Sequence, residues 1–261
     1  MTDRIHKKID ELIHQIDEFR LEPGFTKEVN RRNVNEVVNN LHDEQFLEIA
    51  VELIAYSQSA KSSKVREVLD NGDLPRMFAN YDAKKISVMN PCDLADDNWM
   101  RIKGIRQKHK LFQIVMLARN IDRGFNMQNL LKQAQIPKTL ENKKDVKNFW
   151  IGFKKLRKSI KMQNPPFLGE LTSLLHFLLM IGYDCAKPDV IVMKAAKSIG
   201  IVDNKGNDND TKKIAVIRAM QEYAVKNSIR TSIIDFYFLV WNGQSEASNL
   251  VKPEFYKITK K

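Results

Sequence analysis

Glycine is scarce in this chain, with 10 residues among 261. A fold of many strands joined by tight turns would need more of it. Cysteine is scarcer still. Cys92 and Cys185 are the only two and form no CxxC pair, which excludes a cysteine-rich zinc site. The five histidines do not fall at ligand spacing either. No apolar run approaches the length that spans a bilayer, and the longest, residues 174–181, is interrupted by His176. The opening stretch MTDRIHKKIDELIHQIDEF is charged and lacks the apolar core of a secretory signal. These absences lead to the expectation of a cytoplasmic monomer in a reducing compartment, with no metal, cofactor or membrane partner.

What the chain has in excess is positive charge. Its formal net charge is +11, with 43 Lys and Arg against 32 Asp and Glu. A surplus of this size bears on partners rather than on fold, and nucleic acid is the first candidate. The cytoplasmic chain is therefore expected to associate with the nucleoid. An anionic membrane surface comes second, and a merely soluble basic protein is the plain alternative. Hydrophobic residues make up 43% and charged residues 29%, the usual balance of a globular protein.

Apolar residues recur at helical spacing throughout. Ile5, Ile9, Leu12, Ile13 and Ile16 form one stripe, Val34, Val37, Val38 and Leu41 a second, and Phe46, Ile49, Ala50, Leu53 and Ile54 a third. Further helices are expected near 62–70, 73–81, 83–89, 105–120, 125–133, 144–161, 170–181, 188–199, 211–226 and 230–241. Asn90-Pro91, Pro137, Asn164-Pro165-Pro166 and Lys187-Pro188 punctuate them. No strand pair and no internal repeat is visible, so the expected class is all-α.

The densest charge lies in KNFWIGFKKLRKSIK, residues 147–161. Phe149, Trp150, Phe153, Leu156 and Ile160 give the helix an apolar face to anchor. Lys154, Lys155, Arg157, Lys158 and Lys161 crowd the remainder, and no acidic residue interleaves. Such a run is commonly a solvated face. Without interleaved acids it also suits contact with backbone phosphates. Asn164 to Glu170 then forms a Gly-containing bend before an apolar helix. A helical hairpin of this kind can aim backbone N–H groups at one phosphate, or simply connect two helices.

The segment PPFLGELTSLLHFLLMIGYDCAKPDVIVMKAAKSIG resembles the hairpin-to-aspartate stretch of helix-hairpin-helix DNA glycosylases. Pro166 falls on the family's proline, Gly169 on its second glycine, and Asp189 lies twenty positions after Gly169, the family's spacing. Lys194 sits where a basic residue is common. Two earlier stretches, LIAYSQSAKSSKVREVLDNGDLPRMFANYDAKKIS and WMRIKGIRQKHKLFQIVMLARNI, resemble front elements of the 3-methyladenine glycosylases. Gln58, Ala60, Phe78, Ala79, Tyr81 and Asp82 carry the first of these matches. Ile105, Arg106, Lys110 and Ala118 carry the second. Phe167 departs from the pattern by replacing the hairpin's first glycine. Leu171 stands where bifunctional members carry a Schiff-base lysine, and the zinc ligands of the type I enzymes and the iron–sulfur cysteines have no counterpart.

The resemblance implies a two-lobed helical fold. One lobe would run over 43–180 and end in the hairpin; the other would combine 1–42 with 181–261, leaving a cleft for duplex DNA carrying a modified base. It implies a monofunctional, metal-free enzyme that hydrolyses an N-glycosidic bond, with an alkylated purine as first substrate. Asp189 would be the catalytic carboxylate, placed in the first turn of a helix opened by Pro188. It would stabilise the cationic sugar or activate water. Tyr56, Gln58 and Trp241 would line the base pocket. Lys154, Lys155, Arg157, Lys158, Lys161, Lys194 and the bend Pro166, Phe167, Leu168 and Gly169 would hold DNA. Arg106 and Lys110 are open between phosphate contact and solvent. Asp184 is the weaker acid because its spacing to Gly169 is off. A hairpin DNA-binding protein without catalysis is the rival, and a helical protein-interaction scaffold is the third reading.

Overall fold

A computed structural model describes residues 2–34, 37–58, 60–243 and 246–259. The chain is all-α, and the described residues contain no strand beyond one isolated bridge between Arg20 and Val251. The helices are α1 Thr2–Asp17, α2 Gly24–Asn33, α3 Asp43–Tyr56, α4 Ser62–Asp70, α5 Asp73–Met77, α6 Ala83–Ser87, α7 Pro91–Ile102 and α8 His109–Asp122. They continue with α9 Met127–Ala134, α10 Lys143–Gln163, α11 Leu171–Met180, α12 Val190–Ser198, α13 Asp210–Lys226, α14 Thr231–Asn242 and α15 Glu254–Thr259. Short 3-10 turns occupy Ala79–Tyr81, Lys103–Ile105 and Glu246–Leu250. No described helix is long and apolar enough to cross a membrane.

The chain divides into two compact units. Unit 1 gathers Met1–Val37, Pro137–Trp150 and Ile181–Lys261; unit 2 gathers Val38–Ile136 and Ile151–Met180. The expected 43–180 lobe thus gives up residues 137–150 to the other unit. The reason is visible at Trp150, whose indole N–H donates to Gln221 Oε1 at 2.9 Å. Gln221, wholly buried on α13, in turn donates to the Asp184 carbonyl at 3.2 Å. A buried indole N–H needs a polar partner, and this chain supplies it in unit 1.

Unit 1 is built around α14, whose residues from Thr231 to Phe238 are all buried. Phe25 of α2 meets Phe236 and Tyr237 at centroid distances of 5.0 and 5.5 Å. The Tyr237 hydroxyl donates to Asp17 at 2.8 Å, and that of Tyr223 donates to Asp10. Each buried ring thereby keeps its polar end satisfied at α1. One group there does not. His6 is 5% exposed and stands edge-on to Tyr223 at 5.5 Å, and neither ring nitrogen has a partner among the described residues. Burial, with Lys226 adding to it, holds its pKa below the ordinary 6.5. The unfolded chain therefore binds this proton more readily, and stability is lost as pH falls below 6.5. The expected result is that His6→Leu narrows the drop in denaturant midpoint between pH 7.5 and 5.5. A drop equal to that of the unaltered chain would remove His6 from the account.

Unit 2 packs α3 against α8 and α11. Phe46 of α3 is the pivot, 5.5 Å from Phe177 and 5.8 Å from Phe125. Caps set the shorter helices. Asp82 accepts the Lys85 N–H ahead of α6, Asn90 that of Cys92 ahead of α7, and Asn126 that of Asn129 ahead of α9. The stripe at 34–41 forms no helix among its described residues, because α2 ends at Asn33 and Val34 is extended at φ −69°, ψ 125°. Two other expected helices are shorter in the structure. The segment 73–81 stops at Met77, because Ala79, Asn80 and Tyr81 take φ of 45, 52 and 64° and form a left-handed turn. The segment 105–120 begins only at His109, after Arg106 at φ 76°.

The long helix α10 has a sharply defined start. Asn142 Oδ1 accepts from the N–H of Lys144 and Asp145, while Asp145 Oδ2 accepts from those of Glu141 and Asn142. This is reciprocal capping, which satisfies donors that a helix start would otherwise orphan. The predicted stripe is buried, with Phe149, Phe153, Leu156 and Ile160 each at most 1% exposed. Burying each such side chain contributes about 1.5–3 kcal/mol. Gly152 lies on this helix where a Cβ would come within 2.8 Å of both the Ala134 carbonyl oxygen and Ile136 Cγ1. In an open helix Gly→Ala would add roughly 1 kcal/mol. Here overpacking against backbone dominates, and Gly152→Ala is expected to lower unfolding free energy by about 2 kcal/mol in denaturant titration.

Candidate nucleic-acid interface and carboxylate

In unit 2, the C-terminal half of α10 presents Lys154, Lys158 and Lys161, all exposed, at spacings that share one helix face. Lys155 is exposed too, though its ammonium reaches back to the Gln133 carbonyl. Arg157 is half-buried and its Nε donates to the Gly169 carbonyl at 3.1 Å. Part of its guanidinium therefore fastens the helix to the bend that follows. Helix α10 closes with Asn164 at φ 48°, its N–H on the Ile160 carbonyl at 2.9 Å.

The bend itself keeps a left-handed residue. Phe167 sits at φ 73°, a conformation that costs a non-glycine roughly 1–2 kcal/mol. The position therefore keeps a backbone suited to glycine while carrying an aromatic ring, which is half-buried. Pro166 and Gly169 are half-buried as well. Leu168 is different: its side chain is fully buried and its N–H donates to the Pro166 carbonyl at 2.9 Å. It anchors the bend and has no group left for a phosphate, so its expected place among the DNA contacts is corrected. The N–H groups of Phe167 and Gly169 donate to no backbone carbonyl among the described residues.

Lys110, open in sequence between phosphate and solvent, reaches neither. It is fully buried, and its ammonium donates to the carbonyls of Ala55 and Ser57 at 2.8 Å and of Ile105 at 2.7 Å. Ala55 lies in the last turn of α3 and Ser57 is its C-cap, where helix carbonyls lack intrahelical donors. The side chain is a buried tie between the end of α3 and the turn 103–105. Tyr56 ends α3 half-buried. Gln58 follows, exposed, at φ 53°. Tyr81 is buried, and its hydroxyl pKa is pushed up to about 12 by burial and by Glu48 and Glu52.

In unit 1, Asp189 is the N-cap of α12 rather than a residue of its first turn. Pro188 precedes the helix and does not open it. The difference follows from the side chain: Asp189 Oδ1 accepts the N–H groups of Ile191 and Val192 at 2.9 and 3.0 Å. Its other oxygen lies 3.5 Å from Lys187 Nζ, and the side chain is 24% exposed. One oxygen is thus locked by the helix start, and the second faces a cation at the surface.

No family model, curated protein or solved structure matches this chain.

Around Asp189 lies a second layer that the sequence did not disclose. Asp235 of α14 is 3% exposed, with Oδ2 3.1 Å from Arg32 Nη1 and Oδ1 without a partner among the described residues. Burial pushes its pKa up, Arg32 pulls it down, and the charge of Asp189 pushes it up again. Asp184 is buried and accepts the Thr231 N–H at 2.7 Å, so it ties the start of α14. Lys194 is exposed on α12. Trp241 is half-buried, its indole N–H on Ser198 Oγ at 2.9 Å and its ring 5.7 Å from Phe255. That environment is packing between helices of unit 1, where Asp189 and Lys194 also lie; Tyr56 and Gln58 belong to unit 2. Asp235 and Arg32 could have been found only by pairing residues some two hundred positions apart.

Proposed function

We propose that the chain is a monofunctional DNA glycosylase with the helix-hairpin-helix fold, hydrolysing the N-glycosidic bond of a modified base, with an alkylated purine as first substrate. The observation that carries this reading is the state of Asp189: a carboxylate fixed by two backbone N–H groups, with its second oxygen at the surface. A sugar that loses its base develops positive charge, and a preorganised anion stabilises that charge without reorganising. The exposed lysines of α10 and the bend tied to it by Arg157 supply the phosphate contacts such an enzyme needs. Leu171, fully buried, leaves no lysine at the place where a Schiff base would form.

The test is base release from duplexes carrying alkylated and otherwise modified bases, with Asp189→Asn alongside. Binding is followed over increasing salt, where phosphate neutralisation predicts a steep loss of affinity. Steep salt dependence without release of any base favours the rival reading of a DNA-binding protein without catalysis. Affinity that is absent or indifferent to salt removes both.

A further inference from the structure

Unit 2 holds a cleft of about 670 Å³ whose lining includes neither Asp189 nor a residue of the bend. Its volume falls within the range of small-molecule sites. One wall is α4; the other is the end of α7 with the turn that follows. Lys61, Lys64, Arg101, Lys103 and Arg106 line it, against a single carboxylate, Glu67. That carboxylate is already engaged by Lys64 at 2.7 Å, and Arg101 lies 3.6 Å from Asp73. Lys61 and Lys103 have no carboxylate partner among the described residues. Five exposed cations around one concavity repel each other, and an entering anion relieves that repulsion.

The walls are held by strict geometry. Gly104 lies so close to α4 that a Cβ would stand 2.7 Å from the Lys64 carbonyl oxygen. Arg106 takes φ 76° and ψ −33°, a strained backbone for an arginine, of the kind that collects at ligand clamps. The cleft is not purely ionic. Met100, left 74% exposed, gives it an apolar surface over the buried Val68, and Asn71 adds an amide.

We infer that this cleft binds a phosphate-bearing small molecule with an apolar planar body, of the size of a nucleoside monophosphate. The cations take the phosphate, with the forked guanidiniums suited to its oxygens. Met100 takes the planar body, and Asn71 reads its edge. This site stands apart from the DNA reading, because the ligand is free and DNA is absent from the measurement.

The test is calorimetric titration of the full chain with adenosine monophosphate, adenosine and inorganic phosphate separately. The monophosphate is expected to bind at one site, about tenfold tighter than either fragment. Lys61→Glu with Lys103→Glu is expected to weaken it about tenfold or more. Lys84→Glu with Lys132→Glu changes net charge equally at exposed positions outside the cleft and is expected to leave it unchanged. No saturable binding below about 10 mM overturns the inference, as does inorganic phosphate binding as tightly as the nucleotide. Equal losses in both double variants would reduce the effect to overall charge and also overturn it. So would binding of a short single-stranded oligonucleotide through Lys61 and Lys103 where the mononucleotide fails.

Discussion

Lys110→Met is expected to lower the unfolding free energy by about 3 kcal/mol, among the largest losses any single substitution here should cause. Methionine keeps the unbranched stem and most of its packing. What it removes is the ammonium on which the carbonyls of Ala55, Ser57 and Ile105 converge. Those oxygens are then left without this donor, two of them in buried surroundings. The loss also carries a pH signature. Burial, with Arg106 adding to it, pushes the Lys110 pKa down to about 8. The unfolded chain holds the proton more firmly, so between about pH 8 and 10.5 unfolding takes one up, and stability from this group rises with pH across that window. Denaturant titrations at pH 8 and 10 should show the gap between Lys110→Met and the unaltered chain widening. A constant gap would mean that this lysine titrates alike in both states.

The second large effect concerns chemistry. Asp189→Asn is expected to cut base release by about a hundredfold to a thousandfold. The same change should move stability by no more than about 0.5 kcal/mol, because asparagine caps a helix nearly as well as aspartate. Its carbonyl oxygen can still accept the Ile191 and Val192 N–H groups. The contact with Lys187 is partly exposed and contributes little. Asp189→Ala removes cap and charge together and should cost about 1 kcal/mol besides. Single-turnover base release and thermal melts of the two variants separate the roles. Undiminished release by the asparagine variant would exclude this carboxylate from catalysis.

Much of the helical plan was legible because burial has a period. The α10 stripe is the clearest case: Phe149, Phe153, Leu156 and Ile160 recur at helical spacing, and all are buried. Asp189 was legible as a residue of a helix start, although only coordinates distinguish a cap from a first-turn residue. Lys110 was not legible. A lysine in a basic segment looks the same in sequence whether it faces water or three carbonyls, since the carbonyls belong to residues fifty or more positions away. The left-handed turn at Ala79, Asn80 and Tyr81 was hidden for another reason: no glycine marks it. Leu168 was misjudged because its neighbours in the bend are half-exposed while its own side chain turns inward.

The hydrogen bonds from Tyr223 to Asp10 and from Tyr237 to Asp17 join α1 to α13 and α14, more than two hundred positions later. A ribosome delivers α1 before unit 2 and α13 and α14 after it, so α1 must wait with its apolar stripe uncovered until residues 210–242 have emerged. Val38 to Met180, which contains every residue of unit 2, is synthesised before the remainder of unit 1 exists. Completion of unit 1 therefore follows the synthesis of all of unit 2. Nascent chains stalled before residue 223 should leave α1 open to chaperones and proteases while the interior of unit 2 is already closed.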